Sequence, residues 1–410
     1  MRELKIKVMN EQQVALIKAT VPVLKENGVL LTSYFYERMF KHNPELKHVF
    51  NMGNQKSGKQ QTALAMAVLA YAENIENPSV LMGVVDHIGH KHTSLDIRPE
   101  HYQIVGNHLI SSIKEVLGEG ATDELLEAWT IAYNQLAAIM SGHEAHIYDD
   151  KVKKSGGWTG WRPFTVKDRV NESEEITSFY LYPTDGGKIA EHLPGQYISV
   201  RLFLPELDLL QPRQYSVSNS PNGEYYRISV KKEKGSTHPD GMISNRLHDH
   251  VQVGDTIELS SPSGNFVLQN KEEGQPQVFI SGGIGQTPLL AMVEDLIFNK
   301  NTDQPIVWVH GCRNERVHAF KNRLRELSAA NSAFQNHLFY EQQEAENGNI
   351  KCGIVDLQQI EDKILLEDAN YYLCGPAGFI RKQYEYLKQA GVDPSSIHFE
   401  EFGPASFSLN

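Results

Sequence analysis

Apolar residues recur every three or four positions through the first third of the chain, and that rhythm stops near Lys154-Ser-Gly-Gly-Trp158. Leu64, Ala67, Val68 and Tyr71 show the helical spacing, as do Leu81, Val84, Val85 and Ile88. Few β-branched runs interrupt it, and Pro44, Pro78 and Pro99 stand at suitable helix starts. The pattern predicts about seven helices and an all-α unit. Short β-rich stretches follow, at Ile176–Tyr182, Gln196–Leu204, Tyr225–Lys231 and Thr256–Leu259, punctuated by Asp185-Gly-Gly187, Pro221-Asn-Gly223 and Pro262-Ser-Gly264. Strands this short and frequent predict an antiparallel β-barrel. From about residue 272 the apolar runs Gln277–Ile280, Ile306–Val309 and Tyr371–Cys374 alternate with helical stretches at Pro288–Asn299 and Phe379–Ala390. That is the signature of an α/β parallel sheet with a nucleotide site at its strand ends. Three domains are therefore expected, over residues 1–153, 154–270 and 271–410.

Composition narrows the functional classes. A net charge of −12 argues against nucleic acid or an anionic membrane as partner. The longest mostly apolar run, Ala63–Ala72, is about half of what a bilayer span needs. The N-terminus mixes charges and lacks a signal-peptide core, and the first ten or so residues read as an extension without an assignable role. Three cysteines without paired metal spacing fit a reducing compartment, so a cytoplasmic protein is expected; a monomer needing no protein partner is expected as well.

Seventeen histidines invite over-reading, and most single histidines are surface or satisfied core residues. His92 extends the stripe Leu81, Val84, Val85, Ile88 at helical spacing, whereas His87 and His90 point away from it. Tyr36, with Thr32 and Phe40 one turn either side, and Gln60, on a face with Leu64, Ala67, Val68 and Tyr71, place polar groups among apolar ones. Such groups need partners. They are either core hydrogen bonds or donors aimed at a ligand opposite His92.

The segments Phe35-Tyr-Glu-Arg-Met-Phe-Lys-His-Asn-Pro-Glu-Leu46, Val49-Phe-Asn-Met52 and Gly89-His-Lys-His-Thr-Ser94 resemble the globin domain of flavohaemoglobins. The resemblance implies a haem b whose iron His92 binds, with Tyr36 and Gln60 as distal donors, Leu64 shaping ligand access and Phe50 packing on the haem. It also implies a Tyr and a carboxylate that polarise the proximal histidine. Tyr102 matches the Tyr. Counting back from Gly156-Gly-Trp158 places the carboxylate position at His146, with Glu144 two residues earlier and on a different helix face. Either His146 accepts the bond, Glu144 reaches in through a local shift, or the anionic push is missing. A missing push predicts a higher haem potential than in a relative that has it.

In the barrel, Arg213, Gln214, Tyr215 and Ser216 combine a bidentate phosphate donor, a stacking ring one pleat further on and a hydroxyl. The motif Leu193-Pro-Gly-Gln-Tyr197 precedes it. Gly241, Met242, Ile243 and Ser244 follow, with backbone N–H groups at a helix start suited to phosphate. This order resembles the ferredoxin-NADP reductase superfamily and implies FAD, with Tyr197 among its contacts. Beyond it, Gly282, Gly283, Ile284, Gly285, Gln286, Thr287 and Pro288 follow a strand and open a helix, and Cys374, Gly375 and Pro376 end another strand. Together they resemble the half of that superfamily that binds NADH or NADPH, which would put Cys374 near the nicotinamide; a small buried residue is the alternative reading. In the last motif, Phe399-Glu-Glu-Phe-Gly-Pro404, the resemblance implies that Phe402 covers the flavin, with Gly403 and Pro404 beside it. Glu400 and Lys91 would then lie between flavin and haem, although Lys91 could instead hold a haem propionate.

These parts imply a relay. A nicotinamide gives two electrons as a hydride, a flavin can divide the pair, and a haem takes one at a time. The family resemblance implies a nitric oxide dioxygenase whose small-molecule substrates are NO, O₂ and NAD(P)H. It would form nitrate and detoxify NO, with one NAD(P)H serving two NO. The alternatives are an NAD(P)H-dependent flavin reductase of other acceptors and an oxygen-binding or sensing globin. Arg313 and Asn314 leave NADH against NADPH open.

Overall fold

In the computed structural model, which describes residues 8–235, 240–269, 274–342 and 348–402, the helical rhythm becomes seven α-helices. They are α1 (Glu11–Ala19), α2 (Val21–His42), α3 (Met52–Lys56), α4 (Lys59–Glu73), α5 (Met82–Ser94), α6 (Pro99–Leu117) and α7 (Asp123–Lys153). Pro99 is the first residue of α6, whereas Pro44 and Pro78 open short 3₁₀ turns. The buried face of α2 carries Leu31, Thr32, Phe35, Tyr36, Met39 and Phe40, at the spacing the helix period requires. Thr122 caps α7 by accepting from the Leu125 N–H, and Asp123 and Glu124 favour the positive end of its dipole. At 31 residues, α7 runs about 46 Å and reaches the second domain.

The exit from α7 is made by two glycines. Gly156 has φ +71°, and a Cβ there would lie 2.6 Å from the Ile189 carbonyl carbon. On Gly157 a Cβ would lie 1.8 Å from the Lys151 carbonyl oxygen. Neither position accepts another residue without moving backbone.

Six antiparallel strands form the second domain: β1 (Arg162–Asn171), β2 (Ile176–Pro183), β3 (Tyr197–Leu204), β4 (Leu209–Ser216), β5 (Tyr226–Lys231) and β6 (Thr256–Leu259), with α8 (Met242–His250) between β5 and β6. The order is β4-β3-β6-β1-β2-β5, and an isolated bridge from Val217 to Ile228 brings the two edges together. Phe164, Phe179, Ile198, Val200, Tyr226 and Ile228 fill its interior.

In the third domain the order is β10-β9-β8-β7-β11-β12, every pair parallel. The strands are β7 (Gln277–Gly282), β8 (Ile306–Cys312), β9 (Phe334–Tyr340), β10 (Ile350–Cys352), β11 (Asn370–Gly375) and β12 (Ile397–Glu401). The helices α9 (Gln286–Glu294) and α10 (Lys321–Ala330) contribute to the core on one face; α11 (Glu361–Ile364) and α12 (Ala377–Gln389) to that on the other. The chain moves outward from β7 to β10 and then returns to β11 on the other side. The crevice at the carboxyl ends of β7 and β11 is therefore the topological switch point. Among the described residues no helix is long and apolar enough to cross a membrane.

Candidate functional site

Helices α5 and α7 cross closely because Gly89 has no side chain: a Cβ there would lie 3.0 Å from the His143 ring and 3.1 Å from Ile147. The crossing brings Glu144 onto His92, three residues beyond Gly89. The Nδ1 of His92 lies 2.7 Å from the Glu144 Oε1 and 3.0 Å from the Tyr102 hydroxyl, and that hydroxyl donates to the same Oε1 at 2.6 Å. Tyr133 fixes the triad from behind, donating to the Tyr102 carbonyl at 2.6 Å. Gly106 makes room for the Tyr133 ring, which a Cβ would meet at 2.3 Å.

His146 is not part of this arrangement. Met140, Glu144, Ile147 and Lys151 share the buried face of α7, while His146, about 200° round from Glu144, is exposed. The carboxylate expected at His146 is supplied by Glu144 with no break in the helix, so the count back through the Gly-Gly exit was two residues out. The expectation of a higher haem potential rested on a missing carboxylate and loses its premise.

This chemistry suits a metal. A carboxylate that accepts from Nδ1–H fixes the tautomer of His92 and leaves Nε2 with its lone pair. The His92 side chain is 31% exposed while Glu144 is 2% exposed, so the ring is anchored at one edge and accessible elsewhere. Tyr36 is buried on α2, stacked on Phe40 at 5.9 Å and edge-on to Phe50 at 5.8 Å. Burial pushes its hydroxyl well above the ordinary phenol range, opposed by the amides of Gln60 and Gln55. Gln55 was not singled out in the sequence. Gln61 Nε2 donates to its Oε1 at 3.1 Å, which turns the buried Gln55 Nε2 away from Gln61. Leu64 and Phe50 are half-buried at the edge of the helical core. An anchored imidazole, a protonated phenol and a partly buried apolar rim fit a haem.

On the barrel, β3 and β4 pair Tyr197 with Ser216, Ile198 with Tyr215, Ser199 with Gln214 and Val200 with Arg213. The half-buried Arg213 donates to the Pro212 carbonyl at 2.6 Å and has no carboxylate partner among the described residues. Burial works against its charge. A guanidinium in that position fits an anionic diphosphate. Met242, at the start of α8, lies beside it, since a Cβ on Gly53 would be 3.3 Å from Arg213 Nη2 and 3.6 Å from Met242 Cε. Gly241 caps α8, Ile243 is buried in the barrel, and Ser244 Oγ donates back to the Gly241 carbonyl at 3.2 Å.

At the switch point, strand register sets Ser281, Cys374 and Glu400 in one row across β7, β11 and β12. Gly283 has φ +55°, and Gly285 presses on β11 so closely that a Cβ would lie 2.1 Å from the Cys374 carbonyl oxygen. A Cβ on Gly375 would lie 3.2 Å from the Gly282 backbone, and one on Gly282 would lie 3.1 Å from the Phe379 ring. Gly283, Ile284 and Gly285 form a 3₁₀ turn that leads into Gln286, Thr287 and Pro288 of α9. Both amide atoms of the buried Gln286 lack a protein partner among the described residues, as does Glu400 Oε2. Orphaned polar groups at a glycine-lined helix start fit a dinucleotide. Burial raises the Glu400 carboxyl to about 8 and pushes the buried Cys374 thiol up. Pro376 caps α12, and Phe402 is 44% exposed just beyond β12. Lys91 is half-buried without an acidic partner among the described residues, and burial lowers its ammonium. Gly403 and Pro404 lie outside the described residues.

Comparison with known proteins covers all three domains. Residues 33–140 match the globin family model, residues 163–268 the oxidoreductase FAD-binding domain and residues 279–384 the oxidoreductase NAD-binding domain. A flavohemoprotein from Chromobacterium violaceum is 50% identical over 97% of this chain and 98% of its own length. The crystal structure of a flavohemoglobin from Malassezia yamatoensis with bound FAD and heme superimposes with a TM-score of 0.85 at 25% identity, covering 96% of this chain and 99% of that one. The FAD/NAD-binding domain of a nitric oxide dioxygenase from Vibrio cholerae matches 59% of this chain and 99% of its own, at 34% identity and a TM-score of 0.54.

Proposed function

The chain belongs to the flavohemoprotein family, and from that premise we propose that it is a nitric oxide dioxygenase that removes NO as nitrate. The overall reaction would be two NO, two O₂ and one NAD(P)H giving two nitrate, one NAD(P)⁺ and one proton. The bound groups would supply hydride acceptance and pair-splitting at the flavin and oxygen chemistry at the haem iron.

This chain's residues would do the rest. His92 would hold the iron through Nε2, and Glu144 and Tyr102 would keep its ring oriented and electron-rich through Nδ1. Tyr36, kept protonated by burial, would donate toward negative charge developing on the distal side, with Gln60 beside it and Leu64 narrowing the approach. Arg213 and the N-terminus of α8 would hold the FAD diphosphate, with Tyr197 and Tyr215 against the flavin. The Gly282–Gly285 turn and Cys374 would hold NADH or NADPH with its nicotinamide toward Phe402 and Glu400.

The observation that carries this reading is the carboxylate on His92. An anionic acceptor raises the basicity of the iron ligand, which favours activating oxygen over storing it reversibly. A store or sensor needs neither that push nor a fused supply of electrons. Replacing Tyr36 by Phe tests the reading. NO consumption in aerated buffer with NADH should fall by about 10²-fold, while ferricyanide reduction at the flavin should hold. Undiminished NO consumption in the variant would favour a plain flavin reductase, and a wild-type NADH-to-NO ratio far from one to two would mean uncoupled oxidase chemistry.

A further inference from the structure

Lys151 lies two residues before the end of α7, where a lysine is ordinarily solvated, yet it is 6% exposed. It stands seven residues beyond Glu144 and so on the same face of the helix. Its Nζ donates to Thr93 Oγ1 at 3.1 Å and to Ser263 Oγ at 2.6 Å. No carboxylate pairs with it among the described residues. Asp96, whose charge favours the ammonium, is itself ion-paired with Arg98 at 2.5 Å. The two hydroxyls it contacts have their own protons committed locally, Thr93 to the His90 carbonyl and Ser263 to the Ser261 carbonyl. Their oxygens can therefore act only as acceptors toward it, and the ammonium is the group that ties them together.

What those hydroxyls belong to gives the contact its meaning. Thr93 follows His92 directly. Ser263 exchanges both backbone hydrogen bonds with Tyr197, each at 2.9 Å. A second contact runs alongside, Ser199 Oγ donating to Ser94 Oγ at 3.0 Å. One face of α7 thus touches the helix of His92 through Glu144 and, through Lys151, both that helix and the Ser263 segment bridged to Tyr197.

We propose that Lys151 is a positioning residue for the electron step between the flavin and haem sites, fixing the strand that carries Tyr197 against the helix end that carries His92. The step is the transfer of one electron, drawn from NAD(P)H by way of the flavin, to ferric iron; no bond is made or broken. This rests on the cofactor assignment above. Lys151 touches neither proposed cofactor pocket's own ligating groups, so hydride transfer into the flavin is independent of it. Electron transfer slows as donor and acceptor move apart, whereas hydride transfer into the flavin does not depend on the haem, so loss of the tie should be read in the second step alone.

The test is anaerobic stopped-flow mixing of the haem- and FAD-loaded protein with NADH, comparing wild type with Lys151→Met, which keeps the stem and removes the donors. Flavin bleaching should keep its rate while haem reduction slows severalfold. Hydrogen exchange on the same loaded protein should quicken at the Ile97 and Ser263 amides, which bond to the His92 and Tyr197 carbonyls. A purely structural lysine would slow both phases together or shed cofactor. Either of those results, or haem reduction at the wild-type rate, would overturn the proposal. Lys151→Gln, which keeps an amide donor, should fall between the two and serves the same test if the Met variant does not fold. The measurement contains no NO, so failure to consume NO would overturn the proposed function and leave this one standing.

Discussion

The two joints of this molecule are built on opposite principles. Between barrel and nucleotide domain, the buried Glu294 of α9 accepts from Arg227 of β5 at 3.1 Å, from Arg323 of α10 at 2.8 Å and from the Ser220 backbone at 3.0 Å. Exposed pairs, Arg313 with Glu175 and Arg316 with Glu174, flank it. Between helical domain and barrel, the contacts are single hydrogen bonds rather than charge pairs: Ser199 to Ser94, Asn265 to the Asp86 carboxylate at 2.7 Å, and Gln211 to the Lys47 carbonyl at 2.7 Å. The buried charge there, Lys151, has no opposite charge against it. A compensated charge cluster fails when one member is removed, because the others stay buried and unpaired. An uncompensated charge is the reverse case: its removal relieves a desolvation cost. The barrel is thus clamped on one side by charge pairing and held on the other by geometry that costs stability.

Breaking the clamp should have the largest effect. Glu294→Ala leaves Arg227 and Arg323 facing each other and should cost roughly 3–5 kcal/mol, seen as a lower denaturation midpoint and loss of cooperative unfolding between the two reductase domains. A change under about 1 kcal/mol would mean that the ion pairs are incidental and the contrast between the joints is false.

Lys151→Met should act with the opposite sign and depend on pH. Burial lowers the ammonium from 10.5 to about 7. Between those values the unfolded chain carries a proton that the folded chain does not, so stability rises with pH across that window. The cost of the buried charge is fully present below about pH 7 and gone above about pH 10.5. The variant should therefore melt higher than wild type at pH 6, by a free energy of up to about 4–5 kcal/mol, and the gain should vanish toward pH 10.5. A variant that melts lower at pH 6 would show that the ammonium is compensated after all.

The smallest effect sharpens the contrast from the surface. Arg313 is 54% exposed in its pair with Glu175, so Arg313→Gln should change stability by less than about 1 kcal/mol, and less still in high salt. A larger loss would extend the clamp to the rim of the joint.

The three textures of the sequence were enough to lay out the architecture, because helix period, strand length and turn residues are local signals. One barrel strand escaped, and another was read only over its second half. β1 carries Lys167, Asp168 and Arg169 around a bulge, which breaks the alternation. β4 contains Pro212, which reads as a breaker and is tolerated because β4 is the first strand in the sheet order. β9, β10 and β12 were missed as well; β9 carries Gln335, Asn336 and His337 in mid-strand.

Legibility of the site follows the same division. His92, Tyr36 and the glycine turns were visible because their periodicity and neighbours are local. Glu144 stayed one of three alternatives because its place depends on where α5 crosses α7, which Gly89 decides. Lys151 left no trace: a lysine near a helix end reads as solvated until a second domain closes over it. Gln55 needed the Gln61 contact to show which way its amide points.

The glycine exit from α7 bears on how such a chain can be recombined. Gly157 leaves a Cβ no space against the Lys151 carbonyl, and Gly156 none against Ile189. The connection is a fitted corner whose shape continues the helix into the barrel wall. A chimera that grafts a foreign haem module onto this reductase, or splits the two for separate production, should cut outside that corner and carry the final turn of α7 with both glycines. A flexible tether of equal length would keep the parts together and lose their alignment.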